Sequence, residues 1–177
     1  MGRMSLYLHC MRAFDISLCV GFNRASRHRW IRLFFKLVSR LGDGTFWYAI
    51  MLGMVLFSPA TGWVPALHMA LAGFTGTLIY KWLKGRTLRP RPYQVHQAIR
   101  LAGIPIDQFS FPSGHTLHAV LFSSIALVYF PLLAWLLVPF TVLVAMSRLV
   151  LGLHYPSDVL AGAALGAMIA ALSFFVI

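Results

Sequence analysis

The sequence predicts an all-α, integral-membrane helical bundle of about five transmembrane spans, preceded by an N-terminal amphipathic interfacial helix. Three observations carry that expectation. The 177 residues are 59% hydrophobic, with a mean hydropathy of +0.77. Only 11% are charged, against roughly 25% in an ordinary soluble domain. Long uncharged runs separate the ionic residues: none lies between Asp43 and Lys81, between Arg100 and Asp107, between Asp107 and Arg148, or after Asp158. A bilayer core about 30 Å thick takes about 20 apolar residues per helix, so these runs hold several spans. The net charge of +11 comes from 15 Lys and Arg against four acidic residues, all Asp, and the cations flank the apolar runs. That placement suits lipid headgroups and argues against nucleic acid, which wants a polar basic face.

Residues 1–41 read as a basic amphipathic N-terminal segment and 42–177 as the transmembrane core. The segment carries Arg3, Arg12, Arg24, Arg27, Arg29, Arg32, Lys36 and Arg40. Over 30–41, Trp30, Leu33, Phe34, Leu37, Val38 and Leu41 recur at helical spacing, with Arg29, Arg32, Lys36 and Arg40 on the other face. This is the pattern of a helix lying among headgroups. The stretch over 14–22 is short and holds Asp15, so a cleavable signal peptide is not expected. Cys10 and Cys19 are the only cysteines and no metal-ligand spacing occurs, so neither a disulfide framework nor a zinc site is expected.

A hairpin is expected over about 46–83, turning at Ser58-Pro59-Ala60-Thr61-Gly62. A basic, proline-rich loop follows over 84–111. A second hairpin covers about 114–147, broken at Phe130-Pro131, and a last span runs over about 156–177. Inside it Gly162, Gly166 and Ala170 recur every four residues, a small-residue stripe for close helix packing. With this count the N-terminal segment and both loops emerge on one side of the membrane. By the positive-inside rule that side is cytoplasmic; an additional span in the N-terminal segment would make it extracytoplasmic.

Three polar patches interrupt the apolar sequence. In the first, Lys84 closes the second span and Arg91-Pro92 follows seven residues later. A guanidinium fork with a point charge suits a phosphate dianion, though a basic juxtamembrane anchor has the same composition. Arg86 and Arg89 read as anchors or headgroup contacts. In the second patch, Pro112-Ser113-Gly114-His115, Ser113 suits an N-cap, Gly114 opens the backbone to a ligand, and His115 can donate a proton. An ordinary capped helix with an incidental histidine would look alike. His118, one turn on, reads as a packing or hydrogen-bonding residue. The third patch holds Ser147-Arg148, then His154 and Asp158 four apart across Pro156. Asp158 is placed to accept the Nδ1 proton of His154 and leave Nε2 as a nucleophile, or the two simply stabilise a helix start.

Together the patches resemble the type 2 phosphatidic acid phosphatase superfamily. Its pattern is Lys, six residues, Arg-Pro; then Pro-Ser-Gly-His; then Ser-Arg, five residues, His, three residues, Asp. The sequence matches at Lys84, Arg91, Pro92, Pro112, Ser113, Gly114, His115, Ser147, Arg148, His154 and Asp158, and Ser39-Arg-Leu-Gly-Asp-Gly44 resembles the family's lead-in. The resemblance implies that His154 attacks phosphorus to form a phosphohistidine, oriented by Asp158. It implies that His115 protonates the leaving group and then activates water. Lys84, Arg91, Ser113, Gly114 and Arg148 would bind the phosphate, with no metal or cofactor. Many bacterial members have six spans, so the basic segment departs from the family at the N-terminus.

The expected function is hydrolysis of a phosphomonoester or diphosphate on a lipid: a polyprenyl diphosphate, phosphatidylglycerophosphate or phosphatidic acid. The expected setting is a bacterial inner (plasma) membrane. Partners would be the lipid phosphate and the bilayer, with a homo-oligomer left open. A lipid phosphotransferase using the same histidine and a non-catalytic lipid-binding scaffold are the other readings. Lipid-to-lipid transfer distinguishes the first, and binding without turnover the second.

Overall fold

The computed structural model describes the backbone of residues 3–176 and the side chains of 13–176; the side chains of Arg3, Cys10 and Arg12 lie outside the described residues. Among the described residues eight α-helices follow one another, with short 3-10 turns at Ala25–Arg27 and Pro131–Leu133, and no strand occurs. The helices are α1 (Arg3–Arg24), α2 (Arg29–Gly42), α3 (Thr45–Phe57), α4 (Trp63–Thr87), the one-turn α5 (Pro92–Val95), α6 (Gly114–Tyr129), α7 (Ala134–Val150) and α8 (Pro156–Ser173).

The breaks fall where the chain chemistry requires them. Helix α3 stops before Ser58-Pro59, α6 before Phe130-Pro131, and α8 opens on Pro156, whose missing N–H is no loss in a first turn. Helix α4 runs to Thr87, one turn past the sequence expectation. Lys84 and Arg86 complement the negative end of the helix, and Leu88 closes it in the left-handed region (φ 47°) ahead of Pro90. Lys84 therefore projects from a helix rather than opening a loop.

Helix α6 is the central element, packed against α4, α7 and α8. Its contact with α8 is backbone to backbone. A Cβ on Gly162 would stand 2.5 Å from the Ser113 carbonyl oxygen, and one on Gly166 2.4 Å from that of Leu117. The small-residue stripe is what lets the two helices touch. Leu117, Leu121 and Ile125 of α6 fill the core with Trp47, Met69, Leu137 and Val144. The outside is apolar too: Leu52, Leu71, Phe74, Leu78, Trp135 and Leu160 are all exposed. An apolar belt of that extent around an apolar core is suited to lipid, not water. Pro131–Val150 and Pro156–Ser173 are long and apolar enough to cross a membrane, while Thr45–Phe57 and Gly114–Tyr129 are shorter apolar helices. At the end of the bundle away from the polar patches, His68 bonds the Tyr129 hydroxyl (3.1 Å) and the Ser173 hydroxyl (2.7 Å), pinning α4, α6 and α8 together.

The N-terminal helices lie at the other end. Helix α1, which the sequence reading did not define, turns Asp15, Cys19 and Asn23 inward. Asn23 donates to the carbonyls of Arg100 and Val150 (both 3.0 Å) and accepts from the Arg100 N–H at 2.8 Å. The Cys19 thiol donates to the His154 carbonyl. Helix α2 divides its apolar residues. Val38 and Leu41 pack into the core and Phe35 against Ala102, Leu151 and Leu153, whereas Trp30, Leu33, Phe34 and Leu37 stay exposed.

Candidate active site

Each patch is delivered by a helix end: Lys84 by the last turn of α4, Gly114 and His115 by the first turn of α6, Arg148 by the last turn of α7, Asp158 by the first turn of α8. Arg91 and His154 stand in the connecting segments just before α5 and α8. The α6 start and the α8 start are joined by the Ser113 N–H donating to the Asp158 carbonyl at 3.0 Å. A cavity of about 470 Å³ lies among these ends. Lys84, Arg91, Gly114, His115, Arg148 and His154 line it, so six of the eight expected site residues share one space. From that polar end it continues between α3, α4 and α6 past Trp47, Met51, Gly73, Phe74 and Phe122.

His154 is 1% exposed. Its Nδ1–H donates to the Ser110 carbonyl at 2.6 Å. This differs from the expected pairing with Asp158, whose nearer carboxylate oxygen is 3.7 Å from Nδ1. The physical reason is that the nearer oxygen, Oδ2, already accepts two hydrogen bonds. Asp158 Oδ1 accepts from Arg89 at 2.7 Å, and Oδ2 from the Tyr155 N–H at 2.9 Å and from the Ser110 hydroxyl. Asp158 thus reaches His154 through Ser110. Burial, then the Arg148, Arg91 and Lys84 charges, hold the His154 imidazole well below its usual 6.5, so the ring is neutral at neutral pH.

Arg89 is not a surface anchor. It bridges Asp158 and Asp15 (2.7 Å each), donates to the Ser157 hydroxyl at 2.8 Å, and lies 4.0 Å from the centre of the Tyr155 ring. Despite partial burial its pKa is raised, by Asp158 and Asp15. Asp15 also accepts from the Ser157 N–H at 3.0 Å, so α1 is tied to the start of α8.

Ser113 takes the N-cap position of α6, but its hydroxyl pairs with Thr116 at 3.0 Å and the residue does not line the cavity. His118 bonds within the bundle, to the Gly114 carbonyl (2.9 Å) and Thr77 (3.0 Å). Arg148 donates through Nη1 to the Ser39 hydroxyl, and its buried Nε has no partner among the described residues.

Two carboxylates were not anticipated. Asp43, between α2 and α3, bonds the Nε2 of His115; it sits in the lead-in 39–44, the one sequence signal for it. Asp107 bonds both Lys84 (2.7 Å to each carboxylate oxygen) and Arg91 (2.9 Å). Burial would raise its pKa, but the Lys84 ammonium and then the Arg91 guanidinium hold it below the usual carboxylate range.

The PAP2 superfamily model matches residues 61–177. Undecaprenyl-diphosphatase BcrC of Bacillus subtilis is 33% identical over 126 residues, 71% of this chain and 64% of that protein. The lipid A 1-phosphatase of Rhizobium johnstonii is 31% identical over 64% of this chain and 48% of that protein. The chain thus spans about half to just under two thirds of the length of these relatives. The crystal structure of a transmembrane PAP2-type phosphatidylglycerolphosphate phosphatase from Bacillus subtilis superposes with a TM-score of 0.72 at 25% identity, covering 94% of this chain and 86% of that one.

Proposed function

Because the chain belongs to the PAP2 superfamily, we propose that it is a membrane lipid phosphate phosphatase acting through a phosphohistidine on His154. The observation that carries this reading is the state of His154. Its Nδ1 proton is committed to Ser110, and Nε2 remains as a lone pair on a cavity lined by three cations. An unpartnered Nε on Arg148 adds a donor that an anion would satisfy.

In the first step Nε2 of His154 attacks phosphorus, the P–N bond forms, and the bond to the leaving oxygen breaks. His115, its ring fixed by Asp43, gives that oxygen a proton. Lys84, Arg91, Arg148 and the N–H groups at the start of α6 take up the charge that spreads over the phosphoryl oxygens. In the second step His115 accepts a proton from water, which attacks phosphorus and releases inorganic phosphate from His154.

The apolar continuation of the cavity suits a lipid tail beside the reacting headgroup. Polyprenyl diphosphate, phosphatidylglycerophosphate and phosphatidic acid all meet that description. Helices α3, α4, α6, α7 and α8 then make five crossings, and α2 lies in the interface with Trp30, Leu33, Phe34 and Leu37 in lipid. The site shares the side of the N-terminal segment, and the charge bias makes that side the cytoplasmic face of an inner membrane. Phosphate release from these three lipids by purified protein, with His154→Ala as the blank, tests the activity. Phosphate found on a second lipid instead of in water would identify a transferase.

A further inference from the structure

Lys84 and Arg91 are the cations proposed to bind substrate phosphate, yet Asp107 already engages both. An ammonium has three donors. Those of Lys84 are all used, by Oδ1 and Oδ2 of Asp107 at 2.7 Å and by the Phe109 carbonyl at 3.2 Å. Arg91 spends Nη2 on Asp107 Oδ1, Nε on the Asp107 carbonyl (3.1 Å) and Nη1 on the Leu153 carbonyl (2.8 Å). Asp107 itself lines the cavity. Its carboxylate therefore stands where two phosphoryl oxygens would.

The two halves of Asp107 are held differently. Its backbone is fixed by Arg91 and by neighbouring bonds, including Ser110 N–H to the Arg89 carbonyl at 2.8 Å. Its side chain is 35% exposed, so a rotation about its own bonds carries the carboxylate to water without moving the loop. Lys84 and Arg91, at 6% and 1% exposure, have no such freedom. The exchangeable member of the cluster is the carboxylate.

We infer that Asp107 is an internal competitor for the phosphate seat: it pairs Lys84 and Arg91 in the empty site, yields to a tetrahedral phosphate dianion, and returns as inorganic phosphate departs. The inference rests on the phosphatase reading of the site. It gives Asp107 two effects that a passive support would not have. Competition weakens every phosphate ligand by the same factor, substrate and product alike. It also spares the empty site two buried, unpaired cations, which are costly.

The test uses the full chain in detergent micelles, comparing wild type with Asp107→Asn and Asp107→Ser. Inorganic phosphate and vanadate serve as free anions, and a lipid phosphate as the membrane-borne one. The expected result is inhibition by inorganic phosphate and vanadate about tenfold tighter in both variants, with KM for the lipid lowered and kcat not raised. Thermal unfolding without anion should occur at lower temperature, and vanadate should restore more of the loss than it adds to wild type. A variant too unstable to purify should be recovered when vanadate is present throughout; one that is not recovered overturns the inference. Unchanged or weaker inhibition in the variants, with wild type inhibited normally, overturns the competitor role and leaves the phosphatase standing. If neither anion inhibits wild type and no phosphate is released, the site assignment falls and the competitor with it.

Discussion

The Nδ1 hydrogen of His154 is donated to the main-chain carbonyl of Ser110, 2.6 Å away, and the hydroxyl of that same serine is bonded to Asp158. A backbone carbonyl cannot take the proton, so it fixes one tautomer of the ring and one orientation of Nε2. Asp158 acts one residue removed, by holding Ser110. The consequence is a graded series. His154→Ala should abolish turnover. Asp158→Asn and Ser110→Ala should each lower kcat about 10- to 100-fold, the range for partners that orient a reacting group from behind. Steady-state kinetics on a lipid phosphate checks the order. Asp158→Asn as damaging as His154→Ala would mean that the carboxylate acts on the ring directly.

Acid should affect stability before it reaches the His154 proton. In the unfolded chain the imidazole takes a proton near its ordinary 6.5, whereas burial and the Arg148, Arg91 and Lys84 charges keep it neutral in the fold to well below that. Below 6.5 the unfolded state binds more protons at this position, so stability falls as pH drops and levels off above 6.5. His154→Gln removes the titrating ring. Thermal unfolding measured from about pH 5 to about pH 8 should therefore show a shallower acid loss for the variant than for wild type. Parallel curves would contradict the assignment.

Arg89 holds two carboxylates and the face of Tyr155 at once. Asp158 is 0% exposed, so removing Arg89 leaves a buried carboxylate without its counter-ion. Arg89→Ala should cost about 3 kcal/mol of stability and lower kcat as well. Arg89→Lys keeps a charge but cannot fork between Asp158 and Asp15 while stacking on a ring, so it should recover only part of each. Asp15→Asn, which loosens α1 but leaves Asp158 paired, should have the smallest effect. Unfolding temperatures and kcat for the three variants decide the ranking.

The residues that could be read from the sequence sit at short spacings, at a helix end or in the segment beside it. Lys84 with Arg91, Ser113 to His115, and His154 with Asp158 are each fixed by local geometry, and the breaks at Ser58-Pro59, Phe130-Pro131 and Pro156 follow from proline chemistry. What could not be read are the partners from elsewhere in the chain. Asp43 meets His115 across 72 positions and Asp15 meets Arg89 across 74, and nothing in one sequence pairs them. Helix α1 was missed for another reason. Its buried stripe is Asp15, Cys19 and Asn23, a helical repeat of polar and small side chains, and a search for apolar periodicity does not register it. Its inward face bonds to connecting segments and the start of α8, and only Cys19, with Ile16 and Val20 beside it, joins a small apolar cluster with Ile99 and Tyr155.

The packing of α6 on α8 couples the bundle to the site. Gly166 meets the Leu117 carbonyl so closely that a Cβ would stand 2.4 Å from it, against backbone that cannot swing aside. Gly166→Ala must push the helices apart, which should cost about 1–3 kcal/mol. The displaced helix carries Gly114 and His115 in its first turn, and a small shift of the proton donor proposed here, His115, lowers rate more than it lowers affinity. Gly166→Ala is therefore expected to reduce kcat with little change in KM. Gly53→Ala in α3 is the control, since a Cβ there meets nothing within 4 Å. It should leave turnover intact and stabilise slightly, because alanine is the better helix former. Equal kinetics for the two variants would show that the α6–α8 contact sets stability alone.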